Sequence, residues 1–222
     1  MAPLGRLHVI TDLRPGRDAV AAVSAALHAG APVIQVRVPD QTTDREAYEF
    51  ATRIRTLCTE HGATCLINDR LHIALAVGAD GGHVGADDLP VAAARAILGP
   101  GAILGATCRD PAGARAAVAD GADYLGVGPA YQTATKDGLP QQLGPTGIGV
   151  VAAAVPDTPV IAIGGVTTAR VAELRAVGAY GVAVVSAVSE ASDPAAATAT
   201  LLAEVVATPG RAGRDAAQGW PR

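Results

Sequence analysis

Eight short, continuous apolar runs, separated by Ala-rich segments of helical period, constrain this chain more than any other feature. The runs are Leu7–Ile10, Val33–Val36, Thr64–Ile67, Gly82–Val84, Ile103–Ala106, Tyr124–Val127, Val160–Ile163 and Gly181–Val184. A strand with one face in water alternates apolar and polar residues. Continuous runs belong to strands covered on both faces, the condition of a parallel sheet. Between them the spacing predicts helices. Asp18 caps one that runs to about Ala29 and ends at Gly30. Others cover Asp44–His61, His72–Val77, Val91–Leu98, Pro111–Asp120, Gly147–Ala154, Thr168–Val177 and Pro194–Ala207.

Eight β-α pairs in a chain of 222 residues fit one α/β domain, a single (β/α)8 barrel of the TIM type, over residues 1–207. A doubly wound open sheet is the structural alternative. No G-x-G-x-x-G follows the first run, which weakens its dinucleotide-binding version. Residues 208–222 are rich in Gly, Pro and Arg and lack periodicity, so a disordered tail is expected.

Composition excludes several classes. A net charge of −4 and 3% aromatic residues leave neither a basic footprint nor stacking platforms for nucleic acid. No apolar stretch reaches the ~20 residues that cross a bilayer, and no secretory signal is visible. Cys58, Cys65 and Cys108 lack zinc-site spacing and read as small buried hydrophobes in a reducing cytoplasm. The partners expected are therefore small molecules, with no nucleic acid and no membrane. A homo-oligomer is also expected, since barrels often self-associate.

Active sites in this fold sit at the C-terminal ends of the strands. Reading those ends gives Gln35 and Arg37, then Asn68, Asp69 and Arg70, then Gly85, Asp87 and Asp88, then Thr107. The sixth strand is followed by a long connection, Gly128 to about Thr146, carrying Thr133, Thr135 and Lys136. The last two strands end in Gly164-Gly165 and Val185-Ser186. Asp69 and Asp88 could each cap the next helix. Together they offer two carboxylates, which with substrate phosphates is a usual way of holding Mg²⁺. Gly165 and the Val185-Ser186 amides occupy the places where barrels bind phosphate, although a tight turn would also use the glycines. Of 17 basic residues, Lys136 is the one lysine. A compact ammonium kept where every other cation is Arg suggests a role a guanidinium would not serve. His83 stands near the end of the fourth strand and could line the site, without evident acid–base work.

These pieces, in order, resemble the thiamine-phosphate synthase family. The match is carried by Gln35-Val36-Arg37, Ile67-Asn68-Asp69-Arg70, His83-Val84-Gly85-Ala86-Asp87-Asp88, Gly128-Pro129 with Thr133-Ala134-Thr135-Lys136, Ile163-Gly164-Gly165 and Val185-Ser186. The resemblance implies a transferase that joins an aminopyrimidine diphosphate to a thiazole phosphate, carboxylated or not, and releases diphosphate. It implies that Asp69 and Asp88 hold Mg²⁺, and that Gln35, Arg37, Asn68, Thr107 and Lys136 surround the pyrimidine diphosphate. Arg37 and Lys136 would be catalytic. Thr133, Thr135, Gly165, Val185 and Ser186 would hold the thiazole phosphate. One position departs from the family pattern: Pro39 stands where a second lysine is usual, leaving Arg70 as the candidate replacement. Two alternatives share the barrel, a thiazole tautomerase-like isomerase and a phosphate-ligand-binding barrel without turnover. The metal pair, which the tautomerase does not need, argues against the first.

Overall fold

A computed structural model of the chain describes residues 4–133 and 140–208. Eight parallel strands close into a barrel in chain order, with β8 paired to β1. They are β1 (Leu7–Ile10), β2 (Val33–Val36), β3 (Thr64–Asn68), β4 (Gly81–Val84), β5 (Ile103–Cys108), β6 (Tyr124–Val127), β7 (Val160–Ile163) and β8 (Gly181–Val184). The helices are α1 (Ala19–His28), α2 (Asp44–His61), α3 (Leu71–Ala76), α4 (Val91–Leu98), α5 (Pro111–Ala119), α6 (Gly144–Ala154), α7 (Thr168–Ala176), α8 (Ser186–Ser189) and α9 (Pro194–Ala207).

The period of two along each strand sorts side chains into two buried layers. Val9, Ile34, Ile67, Leu104, Leu125 and Val182 belong to the large core shared with the helices. Their neighbours Ile10, Val33, Leu66, Ile103, Tyr124 and Ala183 fill a second core, inside the barrel. This double burial is why the strands read as continuous apolar runs.

Helix ends follow local chemistry. Thr43 and Glu46 form a reciprocal capping box on α2, and Gly62 ends it in the left-handed region at φ 65°. Asp110 accepts the amides of Ala112 and Gly113 ahead of Pro111, the start of α5. At the N-terminal ends of the strands, two Gly-Ala-Asp turns repeat one device. Asp80 accepts the Cys65 amide (2.7 Å) and pairs with Arg55, while Asp123 accepts the Leu104 amide (2.7 Å) and pairs with Arg95. Each carboxylate ties a strand start to a helix, which anchors the barrel at the end opposite the expected site.

Two helices differ most from the sequence reading. α6 begins at Gly144, three residues early, because Gly and Pro hide helical periodicity in its first turn. α8 is an additional helix of four residues, too short to show a period. No helix among the described residues is long and apolar enough to cross a membrane. Residues 209–222, expected to be a tail, lie outside the described residues.

Candidate active site

Because all strands run in parallel, their C-terminal ends share one face. Gln35, Asn68 and Thr107 have the same parity as the interior residues of their strands, so all three belong to the lumen and mouth. Asn68 is the last residue of β3. Thr107 lies within β5, which continues to Cys108, rather than after it. Gln35 is buried, whereas Asn68 and Thr107 are half-buried. Arg37 follows β2, and its backbone is clamped on both sides by Thr11. The Arg37 amide donates to Thr11 Oγ1 (2.8 Å), and that hydroxyl donates to the Arg37 carbonyl (2.7 Å).

Beneath this ring lies a polar floor. Gln35 Nε2 donates to Tyr124 Oη (3.4 Å), Tyr124 Oη meets His83 Nδ1 (3.0 Å), and His83 Nε2 meets Thr107 Oγ1 (2.9 Å). His8 lies edge-on to the Tyr124 ring at 5.2 Å. Burial lowers His83 to a pKa of about 4 and His8 to about 3. Both are neutral near pH 7, so His83 lines the site without being poised for proton exchange. Burial also raises the Tyr124 hydroxyl well above its ordinary value.

Asp69 and Asp88 stand at the ends of adjacent strands and are exposed. The N-caps of α3 and α4 are Arg70 and Pro90, so neither carboxylate stands at the cap position itself. Asp88 instead accepts the Gly85 amide at 2.7 Å, which fixes one carboxylate oxygen. Asp69 is held at φ 61°, the left-handed region that non-glycine residues rarely occupy. Its amide bonds the His83 carbonyl (2.8 Å), tying β3 to β4 at this point. Among the described residues no third His, Cys, Asp or Glu joins a metal-binding group. Two hard carboxylates, with no third His, Cys, Asp or Glu grouped with them among the described residues, suit an ion that retains water and takes phosphate oxygens, the coordination habit of Mg²⁺.

The opposite side of the mouth is built from glycine. Gly164 and Gly165 have φ of 94° and 62°. A Cβ on Gly165 would lie 2.5 Å from the Gln132 carbonyl, and one on Gly164 would lie 2.7 Å from Pro129 Cα. The glycine pair therefore lets the connection after β6 press onto the end of β7, a packing role besides any phosphate contact. Ala130 and Tyr131 amides donate to the Ile163 and Gly164 carbonyls (2.7 and 3.0 Å). The far end of the connection returns to the same place, with Leu143 and Gly144 amides donating to the Pro129 and Ala130 carbonyls. Thr133 lies at the described end of this connection. Thr135 and Lys136 lie outside the described residues.

Val185 and Ser186 stand at the start of α8, where the first amides of a helix have no intrahelical acceptor. The far end of α8 is fastened to the loop after β1, which the sequence reading left without a role. Buried Asp12 accepts from Arg14 Nε (2.8 Å), Arg14 Nη2 (2.7 Å) and Ser189 Oγ (2.6 Å). Glu190 pairs with Arg14 and Arg17, both at 3.0 Å. Hydrogen bonds from Arg14 hold the Asp12 carboxyl down at about 2. The signal was available: Thr11-Asp12 is a polar pair directly after the first strand, at the functional end.

Arg70, the expected substitute for the missing lysine, is engaged elsewhere. Its guanidinium binds Asp44 (2.9 Å) and the carbonyls of Asp40 (3.1 Å) and Thr42 (2.6 Å). It braces the β2–α2 loop around Pro39. Cys58, Cys65 and Cys108 are free and buried, as their spacing suggested.

Comparison with known proteins agrees with this geometry. A family model described as thiamine monophosphate synthase matches residues 7–188. The chain is 63% identical over 204 residues to thiamine-phosphate synthase of Salinispora arenicola, covering 91% of this chain and 98% of that protein. It is 46% identical over 196 residues to thiamine-phosphate synthase of Haloquadratum walsbyi, with 87% of both chains covered. Among solved structures, thiamine phosphate pyrophosphorylase from Pyrococcus furiosus superimposes with a TM-score of 0.82 at 37% identity, covering 92% of this chain and 97% of that one. Barrel, ordered motifs and relatives converge, and the chain belongs to the thiamine monophosphate synthase family.

Proposed function

We infer that this chain is a thiamine-phosphate synthase, a transferase joining 4-amino-2-methyl-5-hydroxymethylpyrimidine diphosphate to thiazole phosphate. The observation that carries the reading is one barrel mouth that combines a neutral polar floor, two carboxylates at adjacent strand ends and a glycine-built rim after β7. Near-full-length identity to named synthases supports it.

In the reaction the methylene C–O bond breaks and its electron pair leaves with diphosphate. The aminopyrimidine delocalises the positive charge left on carbon, and the thiazole nitrogen supplies the pair for the new C–N bond. No proton has to be removed to form that bond, which suits a floor whose histidines are buried and neutral. Gln35, Asn68 and Thr107 hold the pyrimidine, while Arg37 and Lys136 offset the charge of the departing diphosphate. Thr133, Thr135, Gly165, Val185 and Ser186 hold the thiazole phosphate and keep its nitrogen in line with the carbon. Asp69 and Asp88 would hold Mg²⁺, which when bound supplies further neutralisation of diphosphate. The same reading makes the protein cytoplasmic, in keeping with its free cysteines, and a homo-oligomer by family resemblance.

The test is an initial-rate assay of diphosphate release with each substrate alone, with both, and with Mg²⁺ omitted. Release that requires both substrates and the metal is expected. No release from the complete mixture at high concentration would sink the reading.

A further inference from the structure

The hydrogen-bonded chain under the mouth has a direction, and its protons can be assigned. Tyr124 is 1% exposed and has a single hydroxyl proton. Its oxygen receives a hydrogen bond from Gln35 Nε2, a group that only donates. The acceptor beside it is His83 Nδ1, at 3.0 Å. A buried hydroxyl that gave its proton to nothing would carry an uncompensated desolvation cost. Tyr124 therefore donates to Nδ1. Neutral His83 then carries its proton on Nε2 and donates it to Thr107 Oγ1, at 2.9 Å. Thr107 is left with its own proton free, and it is the half-buried member of the chain, at the mouth.

We propose that Tyr124 and His83 are positioning residues that fix the polarity of the pyrimidine site, turning Thr107 into an obligate hydrogen-bond donor and Gln35 into an acceptor through its carbonyl oxygen. A donor at one end of the chain and an acceptor at the other suit an aminopyrimidine, whose ring nitrogen accepts and whose exocyclic amine donates. A 4-oxo ring presents the opposite pattern and would meet donor with donor. The inference rests on the assignment of Thr107 and Gln35 to the pyrimidine made above, and it adds what sets their orientation.

The barrel makes space for this pair at the expense of two interior side chains. The interior positions beside the pair on β5 and β6 are Gly105 and Gly126. A Cβ at Gly105 would lie 2.1 Å from Tyr124 Cζ and 2.4 Å from His83 Nδ1. One at Gly126 would lie 3.0 Å from His83 Cε1. An apolar interior would have filled both positions, so the two rings are accommodated by design of the strand sequence. Loss of the Tyr124 hydroxyl frees His83 to adopt its other tautomer. Nε2 would then accept the Thr107 proton and withdraw it from the ligand.

A double-mutant cycle tests this, read as the KM of each substrate. Thr107→Val removes the donor and should raise the pyrimidine diphosphate KM about three- to tenfold, the value of one hydrogen bond. Tyr124→Phe removes one oxygen and keeps both ring contacts. It should raise the same KM about two- to fivefold and leave the thiazole phosphate KM unchanged. The double variant should be no worse than Thr107→Val alone, because Tyr124 acts through Thr107. Multiplying effects, or equal rises in both KM values, would reduce Tyr124 to a structural residue and overturn the proposal. An inert Thr107→Val would instead overturn the assignment of Thr107 itself. Should Tyr124→Phe fail to fold, His83 provides the second arm. His83→Gln can accept from Tyr124 and donate to Thr107, so it should keep the pyrimidine KM within about twofold, while His83→Leu raises it as Thr107→Val does. Failure of Gln to rescue relative to Leu also overturns the proposal.

Discussion

Replacing Asp12 by Ala would cut the fastening between the β1–α1 loop and α8. Three side-chain donors and the Arg14 amide (3.2 Å) converge on this carboxylate. Hydrogen bonds to a charged group contribute roughly 1.5–3 kcal/mol each, so a naive sum is large. Arg14, however, is 37% exposed and keeps Glu190, so it re-solvates with little loss. The net cost is then about 2–3 kcal/mol, nearer to one strong bond than to four. For a domain of this size that lowers Tm by about 4–12 °C. The effect has a pH signature. The Asp12 carboxyl sits at about 2, below its ordinary 3.8. A depressed carboxylate stabilises the fold fully above its unfolded value and loses that contribution as pH falls through its folded one. The stability gap between wild type and Asp12→Ala, measured by urea denaturation, should be flat from pH 8 to 5 and narrow below about pH 4. Because Val185 and Ser186 lie at the start of α8, the thiazole phosphate KM should rise more than the pyrimidine KM. A gap below about 0.5 kcal/mol at pH 7, the size of an ordinary surface substitution, would refute the fastening.

Three further outcomes are expected. Gly105→Ala places a methyl within 2.1 Å of Tyr124 Cζ; overpacking should lower stability by about 1–3 kcal/mol and reduce turnover, and an unchanged Tm would show that the ring moves freely. Asp69→Ala or Asp88→Ala should cut kcat/KM about 100-fold or more and raise the Mg²⁺ needed for half-maximal rate, and chelation should stop the wild type; a metal-independent rate would remove both residues from that role. Lys136→Arg should slow diphosphate release markedly at unchanged Tm, whereas near-normal turnover would make the lone lysine an accident of composition.

Much of this was legible in the sequence because the barrel enforces local rules. Continuous apolar runs marked every strand, since both faces of each are buried. Gln35, Asn68 and Thr107 were legible as polar residues at strand ends, and the structure puts them at the interior positions of β2, β3 and β5. What escaped depends on long-range pairing. Tyr124 begins a strand and looks like part of its apolar run; the partners that give it meaning come from β2 and β4, 89 and 41 residues away. Asp12 meets Ser189 across 177 residues, which no window along the chain connects. Arg70 misled for a related reason. A cation beside two carboxylates suggests diphosphate, but its acceptors are Asp44 and the carbonyls of Asp40 and Thr42.

A synthase mouth joins two phosphorylated heterocycles. Mass spectrometry of the wild-type reaction with both substrates and Mg²⁺ tests it most directly. Thiamine phosphate formed one-to-one with diphosphate is the predicted result. Diphosphate with only the hydrolysed pyrimidine alcohol, or an isomerised thiazole phosphate with no diphosphate, would contradict it.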